Sequence, residues 1–498
     1  MNVNPITRLD YPDPDVIRVE DTYYMVSTTM HFMPGCEILQ SFDLVHWEHV
    51  TYVYETLDHT DAQQLKSGQN IYGQGMWAAS LRYHEGRFCI CFVANDTRKT
   101  YLYTSEKIDG PWKKQLIEGF YHDGSLLFDE DGRSYIVYGN DEIWITELNE
   151  DLTAPKKDGL HRLLVSDHKN PELGYEGSHI QKINGYYYIF LIHSLRDRWM
   201  RTEACFYSDS LEGEFTGGDV LCDDRGYCGQ GVAQGGIVDT PDGKWYAMLF
   251  QDSGAVGRIP ILLPVTWKDH FPFFGQNGHV PEEIEVHSTR PGYIYQPLVG
   301  SDDFCNGLLP RWQFNHDPDP RYYHLDALQG TYTITTREVC TELTQAVNTL
   351  TQRMSYPSCA AEVTVDASAL KEGDVAGLCA LQSCYVAVGI TKHHGKYEVL
   401  MLDKKEDGIL DMTEGTVVES HQMDFRLEAD FCNMKDEARC YYRVNKGDWL
   451  PIGTVHKLYF KLDHFTGCRF GLFCYAAEET GGSACFRDFK YYDVDEIS

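Results

Sequence analysis

Apolar and polar positions alternate with a period of two along much of the N-terminal half of this chain, the spacing of strands buried on one face. "VIRVEDTYYMV" from Val16 reads as two short strands around an acidic turn, and "FCICFV" from Phe88 puts Cys89 and Cys91 on one face. Such stretches return as a unit in which a special residue opens a strand, a turn follows, and an aromatic strand comes back. Five copies open at Asp13, Ala78, Asp123, Glu176 and Gln234, 65, 45, 53 and 58 residues apart. A second echo, Ser then an aliphatic then an aromatic, follows three of them in "SFDLVHW", "SEKIDGPW" and "SDSLEGEF". The spacing suits a four-stranded blade, and blades that close into a ring bury one another and lose their free edges. The pattern predicts an all-β chain whose first domain, residues 1–299, is a five-bladed β-propeller.

The repeat stops after "GRIPILLPVTWKDHFPFFG". Residues 288–304, "STRPGYIYQPLVGSDDF", read as a linker whose Tyr, Ile, Leu and Pro content favours packing over free swinging. Beyond it the strand pattern persists without the repeat, in "AAEVTVDAS", "SCYVAVGITK" and "CRFGLFCYA". A two-sheet β-sandwich over residues 300–498, packed on the propeller, is expected.

Composition narrows the partners. Aromatics make up 13% of the chain and Gly numbers 43, which suits twisted strands and tight turns. A formal net charge of −32 repels polyphosphate and anionic lipid, so neither nucleic acid nor membrane is an expected partner and a neutral ligand fits better. Sixteen scattered cysteines without a CxxC pair point to a reducing compartment. "MNVNPITRLD" lacks the parts of a signal peptide, and no apolar run approaches the roughly 20 residues of a spanning helix. A cytoplasmic location is expected.

In a propeller the innermost strand of each blade faces the central channel, so the five openers would gather near one mouth. Three of them are carboxylates. Glycoside cleavage needs one carboxylic acid at the leaving oxygen and one carboxylate on the opposite face of the sugar. Asp13, in "LDYPDPDVIRV", is expected to be pushed into an extended conformation and stiffened by Pro12 and Pro14, and suits the base that activates water. Glu176, in "GYEGSHI", has the longer reach of an acid, with Gly174 and Gly177 leaving room for substrate. Asp123, in "YHDGSLLF", supplies a third charge, and a neighbouring anion favours the protonated form of a carboxylic acid. Glu172 in "NPELG" reads as a solvated loop residue, and "HDPDP" from His316 as a turn at the sandwich entrance. The twenty histidines show no spacing for a catalytic transition metal.

"DYPDPDVIRV", "HDGSLLFDEDGRSYIVYG", "YEGSHIQKINGYYYIF" and "GAVGRIPI", within residues 4–275, resemble glycoside hydrolase family 43, the inverting five-bladed propeller enzymes. "WQFNHDPDPRYY" and "NTLTQRMSYPSCAAEV" resemble the concanavalin-like (jelly-roll) sandwich attached to that family's β-xylosidases and α-L-arabinofuranosidases. The resemblance implies Asp13 as base, Asp123 as modulator, Glu176 as acid, Arg258 as a sugar contact, and Phe32 and Trp77 as apolar walls. Gln234, expected as a further substrate-binding residue, stands where many relatives carry a His that helps hold a channel cation, which puts that cation in doubt. Asp303 and Asp488 imply a structural calcium, weighed against an exposed acidic pair, and no cofactor is implied for the chemistry. Phe473 to Phe486, "FCYAAEETGGSACF", is the expected aromatic loop lent by the sandwich to the pocket rim. The implied function is an inverting, exo-acting α-L-arabinofuranosidase on plant cell-wall oligosaccharides derived from arabinoxylan or arabinan. β-D-Xylosidase or dual activity is the near alternative, and a non-catalytic carbohydrate-binding propeller the distant one. Homo-oligomerisation is left open.

Overall fold

Five antiparallel sheets of four strands follow one another along the chain. A computed structural model describes residues 2–413 and 415–493. Blade 1 comprises Asp15–Val19, Thr22–Val26, Gly35–Ser41 and Glu48–Tyr54; blade 2 runs from Ser80–His84 to Lys113–Ile117. Blade 3 runs from Ser125–Phe128 to His161–Ser166, and blade 4 comprises Glu176–Ile183, Tyr186–Ser194, Arg201–Ser208 and Thr216–Leu221. Blade 5 comprises Val232–Asp239, Trp245–Asp252, Arg258–Lys268 and Phe271–Phe274.

Both faces of a blade are buried, and the period-two pattern decides which neighbour each side chain meets. In "FCICFV" the buried Cys89 and Cys91 pack with Leu126 and Ile136 of blade 3. The alternate Phe88, Ile90 and Phe92 pack with Val26 and Ile38 of blade 1. All sixteen cysteines are free. The ring is tied where its ends meet: Asn2–Val3 pairs with Glu283–Ile284. The Asn4 amide there exchanges hydrogen bonds of 2.8 and 3.1 Å with the Leu262 backbone.

Equivalent openers share a backbone conformation. Asp13, Asp123 and Gln234 have φ of 53°, 48° and 61°, and in blade 4 that left-handed position belongs to Gly177, at 64°. Glu176 therefore stands one residue before the repeat's register. A bulge between Glu176 and His179 accommodates the offset and aims the glutamate separately from the other openers.

The C-terminal part is a concanavalin-like sandwich of two large sheets. One has seven strands, from Tyr323–Asp326 to Leu450–Lys457; the other has nine, and its edge strand is Phe32–Met33 of the propeller, pairing with Gln313–Asn315. The two parts also share polar anchors. Arg353, 4% exposed, donates to Asp10 O at 2.9 Å and Glu37 Oε2 at 2.9 Å, with its guanidinium 4.0 Å over the Tyr11 ring. "HDPDP" is an interface turn: His316 Nε2 accepts from the Ile71 amide at 3.0 Å, and buried Asp317 lies 2.8 Å from His59 Nδ1.

Candidate active site

Asp13 is 6% exposed and, instead of the extended conformation expected before Pro14, holds a left-handed φ that Asp tolerates better than most residues. Its turn is pinned by Ser27 Oγ, which donates to Pro12 O at 2.7 Å. Thr28 Oγ1 donates to Asp13 Oδ2 at 2.6 Å, and Arg258 Nη1 to Oδ1 at 3.0 Å. Arg258 opens the third strand of blade 5, where its own amide donates to Asp10 Oδ1 at 2.8 Å. Blades 1 and 5 thus fix the carboxylate from both sides.

Asp123 is also 6% exposed, and its Oδ2 accepts the Gly177 amide at 3.1 Å. Burial raises its carboxyl to about 6; His122 opposes the rise, and Glu176 and Asp13 add to it. His122 Nε2 lies 3.5 Å from both Asp123 Oδ2 and Glu176 Oε2. The Asp123 charge raises the imidazolium to about 9 against burial, helped by Glu176 and Asp13. Glu176 Oε2 accepts from Asn140 Nδ2 at 2.6 Å. Three carboxylates from blades 1, 3 and 4 therefore meet around one imidazolium. Glu172, the rival acid, is exposed in a bend.

The walls come from distant parts of the chain. Trp77 is half-buried, its ring 5.9 Å from His122 and 5.5 Å from Phe465. Phe465 belongs to the sandwich. It lies 4.2 Å from the Arg258 guanidinium, and its carbonyl accepts from Arg258 Nη2 at 3.4 Å. The segment is anchored by the Gly467 amide on Asp10 Oδ2 at 2.8 Å and by His464 stacked on Tyr72 at 3.8 Å. The aromatic that the sandwich lends to the site is therefore Phe465, not one from Phe473–Phe486. Phe473 is fully buried in the strand Arg469–Ala476, where alternation turns it into the core.

Phe32 is also corrected. It is 1% exposed, packed with Leu343, Val375 and Phe473 under the Arg469 guanidinium at 3.5 Å, and closes the domain interface rather than the pocket. Gln234 sits at the mouth with its side chain against Gly177, where even a methyl group would meet Gln234 Cγ at 2.7 Å. Its backbone amide donates to Glu203 Oε2 at 2.7 Å, and burial pushes the Glu203 carboxyl well above the ordinary range. Arg201 is a second arginine in the pocket, paired with Asp252 and 5.3 Å from the Phe250 ring, which Arg258 approaches from 5.4 Å. Sequence reasoning missed His122, Asn140, Arg201 and Phe465. Only His122, beside Asp123, carried a signal, because an imidazole next to a candidate catalytic carboxylate is chemically conspicuous.

Below the mouth, both Asp15 oxygens are engaged. Oδ2 accepts from the Leu81 amide at 2.7 Å and Arg82 Nη1 at 2.8 Å, and Oδ1 lies 3.1 Å from His179 Nδ1. Burial would raise this carboxyl, but Arg82, His179 and the Leu81 amide outweigh it and hold it below the usual range. Arg82 also donates to Leu126 O, Ser125 Oγ and Ile180 O. The waist does not fit a bound cation, since Arg82 already supplies the positive charge there. At the mouth, His122, Asp123 and Glu176 bring ligand atoms within 4.8 Å of one another, the one such trio among the described residues. The imidazolium stands in that position. Asp303 and Asp488 do not fit a calcium cage either. Both are exposed, Asp303 Oδ1 caps the Cys305 amide at 2.9 Å, and no third ligand side chain joins them among the described residues, whereas calcium takes six to eight oxygens. The neighbouring Asp302 is structural, accepting Trp312 Nε1 at 2.8 Å.

Known proteins carry the same architecture. The chain is 42% identical to a bifunctional GH43-CE protein of Bacteroides eggerthii, with a TM-score of 0.92 over 99% of this chain; it spans 64% of that longer chain. A GH43 glycoside hydrolase engineered to display both endo-xylanase and exo-arabinofuranosidase activity is 27% identical, with a TM-score of 0.86 over 99% of both chains. A beta-xylosidase of Formosa agariphila is 26% identical over 99% of this chain and 89% of its own. Residues 301–492 match the Beta xylosidase C-terminal Concanavalin A-like domain. Residues 3–272, which contain every carboxylate at the channel mouth, match Glycosyl hydrolases family 43, and the chain belongs to that family.

Proposed function

We propose that this glycoside hydrolase is an inverting, exo-acting pentosidase that removes terminal α-L-arabinofuranosyl units from plant cell-wall oligosaccharides, with β-D-xylosyl units as the second substrate. The observation that carries the reading is the meeting of Asp13, Asp123 and Glu176 from three blades at one mouth. Asp13, oriented by Thr28 and Arg258, takes a proton from the water that attacks the anomeric carbon. Glu176, steadied by Asn140, gives a proton to the leaving oxygen on the opposite face. His122 and Asp123 set the charge between them. Asp123 Oδ1 and Trp77 Nε1 are buried without protein partners, positions that sugar hydroxyls would fill. Phe465 and Trp77 close the wall beside Arg258, which supports single-residue removal from chain ends. The second substrate is supported by the β-xylosidase name of the Formosa agariphila relative.

The test is a panel of nitrophenyl α-L-arabinofuranoside and β-D-xyloside, with NMR of the first product formed. Release with inverted anomeric configuration is expected, corresponding to carboxyl groups about 6.5–9.5 Å apart. Retention would overturn the mechanism, and no release from either pentoside would favour a carbohydrate-binding propeller. Glu176→Ala should damage substrates with poor leaving groups far more than nitrophenyl ones; equal losses would remove Glu176 as the acid.

A further inference from the structure

We propose that Trp199, backed by Arg201, is the platform on which the first sugar of the leaving saccharide stacks; this rests on the pentosidase reading above. Trp199 is 46% exposed, the only tryptophan so exposed among the described residues. It sits in residues 195–200, the connection between Tyr186–Ser194 and Arg201–Ser208 of blade 4. That connection rises beside the acid: Glu176 pairs with Ile192, Ile192 with Glu203, and Ser194 with Arg201. The general acid protonates the leaving oxygen, so the leaving sugar lies on its side of the mouth. Phe465 and Trp77 wall the other side, over blades 5 and 2.

The connection is held stiffly. Ser194 Oγ accepts the Met200 amide at 2.9 Å, and the Leu195 amide donates to Met200 O at 3.1 Å. Arg201 holds its guanidinium 5.4 Å over the Trp199 ring, and its Nε has no protein partner. Burial and Arg258 lower its pKa to about 10 while Glu176 and Asp13 oppose them, which places it in the same electrostatic pocket. An aromatic face so presented suits the C–H face of a pyranose. Charge decides the class of sugar. Arg196 pairs with Asp167, Arg198 with Asp197 and Arg201 with Asp252, so the platform is locally neutral and selects a neutral backbone sugar rather than a uronic acid.

Trp199→Ala and Trp199→Phe are compared with wild type on two substrates sharing the preferred terminal pentose: its methyl glycoside, and a xylotriose carrying it. The ratio of kcat/KM for the oligosaccharide to that for the methyl glycoside should fall about five- to tenfold in Trp199→Ala, mostly through KM, and recover in part in Trp199→Phe. Inhibition by free pentose, which occupies only the terminal-sugar site, should shift by less than twofold. An unchanged ratio in Trp199→Ala would overturn the platform while leaving the pentosidase reading intact. Failure of the wild type on both substrates would overturn that reading instead.

Discussion

At the waist of the central channel, Asp15, Arg82, Ser125 and His179 bind one another until each charged group has its partners. Two residues earlier along the chain, at the mouth, Asp13, Asp123 and Gly177 adopt left-handed backbone conformations, and Asp123 Oδ1 and Trp77 Nε1 are left unmatched. The two levels share scaffold and burial and differ in satisfaction. A closed buried network rigidifies a fold, whereas an unmatched buried donor or acceptor costs about 1–3 kcal/mol and persists where a ligand completes it. The proposed chemistry sits on the open level, above the closed one.

If that division holds, substitutions at the two levels move different observables. The largest effect is expected from Asp13→Asn, which keeps a polar group for Thr28 and Arg258 but removes the base. Its kcat should fall about 10²–10⁴-fold with little change in melting temperature. Asp13→Ala should add a stability loss, because the buried Arg258, 2% exposed, and Thr28 then lose their hydrogen-bond partner as well. Near-normal kcat in Asp13→Asn would reassign the base.

Arg82→Met is the converse. It leaves the buried Asp15 charge without its cation and should cost about 3–5 kcal/mol in denaturant unfolding, with kcat of the folded fraction within a few-fold of wild type. A waist variant that unfolds normally but loses turnover would erase the distinction. Phe465→Ala should lower kcat/KM about tenfold by opening the wall over Arg258, and a chain cut at residue 299 should lose activity or solubility altogether for want of the same contact. Full activity in the cut chain would show that the sandwich is a separate module.

The smallest effect sharpens the electrostatics of the mouth. His122 is raised from 6.5 to about 9, so the native state keeps a proton that the unfolded chain has released between those values. Its stabilisation is complete below pH 6.5 and is lost as pH rises through about 9. Melting temperatures measured from pH 6 to 10 should therefore decline more steeply for wild type than for His122→Asn. Parallel curves would place the proton elsewhere.

The interface with the sandwich explains why some aromatic assignments moved. Phe32 and Phe465 are both aromatic and indistinguishable by composition. Phe32 lies in an edge strand that the nine-stranded sheet captures, so it is covered. Phe465 lies in a connection that crosses back over blade 5, so it faces Arg258.

Short apolar strands recurring in a repeat of regular length were enough to specify the blades, because burial of the inner strands on both faces leaves apolar runs in the local sequence. The same repeat brought Asp13, Asp123 and Glu176 together, since each lies at or beside a strand start that the ring turns toward one axis. The one-residue offset of Glu176 was invisible, because a bulge forms by pairing with a neighbouring strand and not by any residue in the strand itself. Arg82 at the waist, Arg201 beside Phe250 and Phe465 over the pocket were likewise decided only by the tertiary structure. Their roles come from contacts between segments tens to hundreds of residues apart, where side-chain chemistry states what a residue could do and only the fold states what it touches.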